Sequence, residues 1–348
     1  MAGKLKSWLF ESDAPMPWRK VAMMILAMVL PAVIAVTFMG RTGAIAFVAA
    51  MPACLAAQDA GLKVSLLVTL VMGMAGLLSL GTPEMSLLVA PFLGLMVGIC
   101  GSFGLAKAAI RGLLTWPIFT SPIIDNGNLP MLFAVFVGAM LWAQVVVWLF
   151  GETCSTGTED RESEQYAMVF GIALAVGLTA SVWTGQRYFG SHGFWFPLTF
   201  VILVLPPHGQ LFSRTTKRTL GTVIGTAVAI GLAALTSSTW IMVAVGALCL
   251  ALGFRMLPYS YTVFTTLLTV AVLEVLALVS QVNQLAIERV GTMAAAAGMT
   301  FALGALGFLI LRLTKPEALR ALQETGIEDV PLGGDRRKDS AASATRVG

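Results

Sequence analysis

Residues 193–235 read GFWFPLTFVILVLPPHGQLFSRTTKRTLGTVIGTAVAIGLAAL. An apolar segment from Phe194 to Leu205 ends at Pro206-Pro207-His208-Gly209, because proline lacks the N–H that a helix interior needs. A basic turn carrying Arg214, Lys217 and Arg218 follows. The next segment is rich in small residues, with Gly221 and Gly225 four positions apart, a spacing that lets a second helix approach closely. Two apolar spans joined by a short cationic turn is the physical reading of this stretch.

The rest of the chain extends that reading. Of 348 residues 57% are hydrophobic and 11% charged, and the mean hydropathy is +0.85. A water-soluble domain carries about 25% charged residues, so the lipid bilayer is the expected surroundings. The net charge of +4 is spread over short loops and forms no nucleic-acid patch. Cys54, Cys100 and Cys249 fall in apolar runs and Cys154 in a loop, without metal or disulfide spacing. Only His192 and His208 are present, too few for a zinc site or a catalytic triad. No cofactor is expected. Lys4, Lys6, Arg19 and Lys20 precede an apolar run, Val21 to Phe38, too long for a cleaved signal and nearly long enough to span. Residues 4–18, with Trp8 and Trp18, read as an interfacial segment.

Apolar runs long enough to cross a bilayer fall at 21–39, 43–57, 64–80, 86–106, 110–124 and 131–150, then at 167–186, 194–206, 218–236, 240–257, 260–280 and 286–312. The expected fold is all-α, a polytopic bundle of about twelve transmembrane helices. Segments 43–57, 110–124 and 194–206 are short, so ten spans with two re-entrant segments is the alternative. With both termini inside, only Arg41, Arg187 and Arg289 of the 22 lysines and arginines lie outside, as the positive-inside rule requires.

The expected domains are an interfacial N-terminal segment at 1–20, a first six-helix unit at 21–150, an acidic cytoplasmic linker at 151–165, a second six-helix unit at 166–313 and a largely disordered cytoplasmic tail at 314–348. Gly40-Arg-Thr-Gly43 opens a short second span, and Gly190-Ser-His-Gly193 does the same 150 positions later. Six spans per unit make this a parallel repeat.

Four pieces of the second unit resemble the membrane unit of the fusaric acid resistance family, within the aromatic acid exporter superfamily. They are Gly193-Phe-Trp-Phe-Pro-Leu-Thr199, the Pro206–Gly209 break, Arg218-Thr-Leu-Gly-Thr222, and Arg289-Val-Gly291-Thr292 at the start of the last span. The resemblance covers roughly 165–312, and the first half is similar to a diverged domain of unknown function grouped with that family. It implies a bacterial inner-membrane exporter of aromatic or other small organic acids, working with a periplasmic adaptor and an outer-membrane channel. The linker at 151–165 leaves no room there for the large cytoplasmic domains many members carry.

Candidate site residues follow from charge in apolar surroundings. Glu274 is the acidic residue inside the run Thr262–Val279. An ionised carboxylate there costs about 2.5–3.5 kcal/mol on insertion scales, which makes Glu274 a candidate proton carrier; alternatively it snorkels, lying roughly 6 Å outward of the helix centre. Gln281 shares its face. Arg218 and Arg289 each open a small-residue helix, and a guanidinium fork suits a carboxylate. Arg218 reads equally as a topology anchor, while Arg289 stands where outside cations are scarce. Its neighbour Glu288 cannot face it on a helix. His208 ends a broken helix of the kind that lines cavities, or is an ordinary loop histidine. Trp195 is a belt anchor or a stacking platform for an aromatic ligand. Asp59 and Lys63, four apart, read as a local salt bridge. Gly94, Gly98, Gly101 and Gly104 read as a helix-packing stripe, and Gly221–Gly225–Gly231 as no phosphate loop, since no Gly-Lys-Ser/Thr follows.

The leading expectation is a proton-driven secondary exporter of small organic anions. A passive anion channel and a non-transporting subunit that recruits a periplasmic adaptor are the alternatives, homo-oligomerisation is open, and an enzyme is least expected because no polar cluster has catalytic spacing.

Overall fold

The computed structural model describes residues 9–10, 14–80, 82–121, 128–154, 164–205, 211–236, 238–277 and 282–314. Among them the regular elements are all helical. Seven helices are long and apolar enough to cross a membrane, and Trp240–Met256 and Tyr261–Glu274 are shorter apolar helices. The molecule is a multi-pass membrane protein. More than half of the expected interfacial segment, most of the acidic linker, the tail beyond 314, His208 and Gln281 lie outside the described residues.

Helix α1, Trp18–Met39, contains one π turn at Ile25–Val29. Its cause is Pro31, whose ring would crowd the Ala27 carbonyl in a regular α-helix and which has no N–H to give. Five-residue spacing would pair the Leu26 carbonyl with Pro31. That carbonyl instead accepts from the indole N–H of Trp142 at 2.9 Å.

Helix α2, Ile45–Ser79, consists of two helical limbs joined at a kink. Gly61 has φ 82° and ψ 172°, a conformation open to glycine and strained for other residues. Ser65 then donates to the carbonyl of Ala53 at 2.8 Å. Twelve residues of straight helix would separate the two by about 18 Å. The chain therefore doubles back at Gly61, and the apolar runs 43–57 and 64–80 are two antiparallel limbs of one helical hairpin.

The same reversal corrects the Asp59–Lys63 reading. With Gly61 turned between them, the two side chains are no longer one turn apart on a common face. Asp59 pairs instead with Lys107 at 3.5 Å and with Arg111, both on α4, Ala106–Leu113. Lys63 is exposed.

Helices α3, Pro83–Ser102, and α5, Leu129–Leu149, complete the first group. Run 110–124 is a short helix end followed by the 3-10 turn Trp116–Thr120 rather than one long helix. The second group is α6, Glu164–Tyr188; α7, Trp195–Leu203; α8, Leu211–Leu235; α9, Thr239–Met256; α10, Tyr261–Ala277; and α11, Val282–Thr314. The groups meet where α3 packs along α6. A Cβ on Gly94 would stand 2.4 Å from the Ala175 backbone, and one on Gly98 2.5 Å from Gly171, so this part of the glycine stripe is a helix contact. Gly104, at φ 72°, belongs to the turn beyond it.

The two glycine turns are built alike. Gly40 and Gly190 have φ 61° and 54°, and each opens a 3-10 turn. Gly43 lies against the Ala35 backbone and Gly193 against Gly185, eight residues back in both cases. Packing order recurs as well. The hairpin of α2 packs on α4 and α5, while α7 packs on α11 and α8 on α10 and α11.

Two large apolar clusters hold the molecule. One joins α1, the first limb of α2 and α5; the other joins the second limb of α2 with α3, α4, α6 and α7. Between α7, α8, α10 and α11 the apolar clusters are small. Hydroxyls and charges fill that part of the interior.

Candidate functional site

Among the described residues, the buried charged side chains are Lys217, Arg218, Glu274 and Arg289. They sit on α8, α10 and α11. Burying an unpaired charge is costly, so their surroundings decide what this region can do.

Arg289 is brought inward because α11 packs on both α7 and α8. It is 6% exposed. Its Nη1 donates to the hydroxyl of Thr199 on α7 at 3.3 Å, and its Cζ lies 5.3 Å from the centre of the Trp195 ring, a cation–π distance. Its Nε has no hydrogen-bond partner. Both aromatic and hydroxyl partners come from the short helix that follows the Gly190 turn.

Arg218 is 3% exposed, so it stands inside the bundle rather than among lipid headgroups. It donates from Nη1 to the Tyr261 hydroxyl at 3.2 Å, at the start of α10, and its Nε is also unpartnered. Arg214 lies over the same tyrosine ring and donates to the Leu205 carbonyl. Close contact between α8 and α10 is set by glycine: a Cβ on Gly221 would meet Thr265 and the Thr262 carbonyl, and one on Gly225 would meet Thr266 and Thr269. Gly231 touches nothing and takes no part.

Glu274, on α10, is 2% exposed and its Oε1 has no partner. No contact joins it to either arginine among the described residues. Trp195 and Arg289 are thus brought together, while among the described residues no hydrogen bond or ion pair joins Arg218 to them.

Two features went unnoticed in the sequence. His192 turns Nδ1 to the Glu288 carboxylate at 2.6 Å, and its ring lies 5.1 Å from that of Trp195. Gln284 donates to the other oxygen of Glu288 at 2.9 Å. Glu288 is therefore committed to neighbours other than Arg289, as adjacent helix positions require. The second feature is a set of buried hydroxyls. Thr222, Thr226, Thr262 and Thr300 have Oγ1 atoms without partners. Threonines four apart on α8 were a visible signal, but helical threonines commonly bond their own backbone, as Thr265 and Thr269 do here.

An open groove of about 590 Å³ runs between α8 and α11, lined by Thr226, Ile230, Ala286, Ile287, Val290 and Gly291. Its lining is almost wholly apolar, and Arg218, Arg289, Trp195 and Glu274 are not part of it. Among the described residues no group of three or more His, Cys, Asp or Glu could hold a metal ion.

Residues 172–303 match the family model described as fusaric acid resistance protein-like. That part of the chain is similar to the fusaric acid resistance protein-like family. The matched segment runs from α6 into α11 and contains Arg218, Glu274, Arg289 and the hydroxyls around them, while the first group of helices lies outside it. No curated protein and no solved structure matches the chain.

Proposed function

We propose that this protein exports small organic acids, aromatic acids among them, across a bacterial inner membrane and couples export to protons. The observation that carries the reading is two buried arginines without a carboxylate partner among the described residues, both in the segment that matches the fusaric acid resistance protein-like model. Such a pair is an incomplete ion pair, and an organic anion completes it. Arg289 and Arg218 would hold carboxylate oxygens through their guanidinium edges, and Trp195 would stack on an aromatic ring.

Glu274 would carry the proton. Its carboxyl group is buried, unpartnered and apart from the arginines, so protonation and anion binding need not compete for one contact. The membrane frame for this reading is twelve segments in two parallel groups of six, with both termini inside, and the paired glycine turns favour it. A periplasmic adaptor and an outer-membrane channel would complete the route out of the cell.

The test is efflux from proteoliposomes loaded with radiolabelled benzoate. An imposed pH gradient should accelerate efflux, and an imposed voltage without a pH gradient should act less. Benzoate retained under both conditions would remove the export reading. Efflux that follows only the anion's own electrochemical gradient would make the protein a channel instead.

A further inference from the structure

We propose that His192 and Glu288 are a proton-sensitive positioning pair for the anion site at Arg289, so that an organic anion binds more tightly when His192 is protonated. This rests on the export reading and adds the regulation of that site by pH.

The contacts of these side chains form a closed circuit. Glu288 and Arg289 are neighbours on α11 and point about 100° apart around the helix. Both nevertheless reach the short segment that follows Gly190. Glu288 Oε2 meets His192 Nδ1 at 2.6 Å, while Arg289 meets the Trp195 ring at 5.3 Å and the Thr199 hydroxyl at 3.3 Å. The circuit closes because the rings of His192 and Trp195 lie 5.1 Å apart. Gln284, one turn before Glu288, donates to the other carboxylate oxygen at 2.9 Å and fixes its direction. The side chains of His192 and Glu288 are 12% and 20% exposed. Their contact is therefore screened less than that of a surface ion pair, and protons still reach it.

Charge decides the sign. Oε2 of Glu288 makes no regular hydrogen bond, so what holds it against His192 is the attraction of opposite charges. Two consequences of protonation act together. An imidazolium offsets the charge of Glu288, which stands one residue from Arg289, and the field at the guanidinium then favours an anion. The same attraction ties the segment carrying Trp195 to α11 and keeps Arg289 oriented. Loss of the proton as pH rises reverses both, and histidine ordinarily changes charge between about pH 5 and pH 8. Other charges surround the pair. Arg187 ends α6 and is exposed, α7 carries none, and Arg312 lies at the far end of α11. The cations of α8 are Arg214, Lys217 and Arg218, whereas Thr226 and Ile230, two turns or more beyond Arg218, line the groove with Ala286 to Gly291. On α10, Leu273 packs with Trp195 and Leu285, and Glu274 follows it. Glu274 is thus the other titratable group that the test has to separate.

The experiment is calorimetric titration of the full chain in nanodiscs with benzoate, which stays a monoanion between about pH 6 and pH 8, the range in which histidine titrates. Wild-type affinity should fall about fivefold or more across that range. Near neutral pH, benzoate binding should also take up protons, because the coupling is reciprocal; the binding heats in two buffers of different ionisation enthalpy read this. Both effects should vanish in His192→Gln, which keeps a hydrogen-bond donor without the charge, and persist in Glu274→Gln. The two wild-type readouts do not depend on a variant folding. One affinity at every pH without proton uptake would overturn the pair and leave the exporter standing. Effects that survive in His192→Gln, or that are lost in Glu274→Gln, would assign the titration to another group and overturn it as well. Binding of no benzoate at any pH would overturn both this proposal and the export reading.

Discussion

Arg289 donates to the hydroxyl of Thr199 at 3.3 Å, across 90 positions of sequence, and so ties the last long helix to the short one after the Gly190 turn. One face of the guanidinium is held by Trp195 and one nitrogen by Thr199, while Nε stays available. The group is oriented but not neutralised.

Arg289→Lys keeps the charge and loses the planar fork. Losing a charge-assisted hydrogen bond corresponds to about 1.5–3 kcal/mol, or roughly tenfold to a hundredfold in affinity. Benzoate efflux from proteoliposomes should fall by that order, with normal insertion and a normal size-exclusion profile. Efflux equal to wild type would take Arg289 out of the site.

Glu274→Gln replaces the buried carboxyl with a neutral group of the same shape. The variant should still bind benzoate, but its efflux should no longer respond to an imposed pH gradient. A response as large as that of the wild type would assign proton coupling elsewhere.

Asp59 stands between Lys107 and Arg111 at the Gly61 reversal. Asp59→Asn removes the carboxylate that Lys107 and Arg111 share, and a loss of about 1–3 kcal/mol is expected. Lys63→Ala, on an exposed side chain, should change stability by less than about 0.5 kcal/mol. Thermal unfolding followed by tryptophan fluorescence distinguishes this from a local Asp59–Lys63 pair, which would make the two substitutions similar.

Gly193→Ala places a Cβ 2.2 Å from the Gly185 carbonyl oxygen, and Gly43→Ala one 2.3 Å from the Ala35 backbone. The obstacle is backbone in both, so each should destabilise by about 1–3 kcal/mol. Gly231→Ala, with open space around it, is the control and should be neutral. If Gly193→Ala melts with the wild type, the two glycine turns do not serve as close helix contacts.

Much of the helical layout was legible. Runs 21–39, 86–106, 131–150, 167–186, 218–236 and 286–312 correspond to long helices, because each is apolar over a bilayer-spanning length. The partners of charged residues were not. Asp59 looked local to Lys63 until Gly61 turned between them, and His192 and Glu288 are 96 positions apart. The hydroxyls of α8 and α10 were visible as threonines, but a threonine does not reveal whether its oxygen is satisfied.

The stretch from Gly193 to Leu235 by itself determined an apolar segment, a stop and a cationic turn before a second helix, since proline, glycine and charge act through local chemistry. It also carries much of the likeness to the fusaric acid resistance-like family. The chain's spacing could not say that Arg218 turns into the bundle. In a membrane, lipid and protein interior are both apolar, so the rotational phase of a helix leaves little trace in its hydrophobic pattern. The close contacts of Gly221 and Gly225 with α10 set that phase, and it is packing that buries Arg218 and turns it to the Tyr261 hydroxyl.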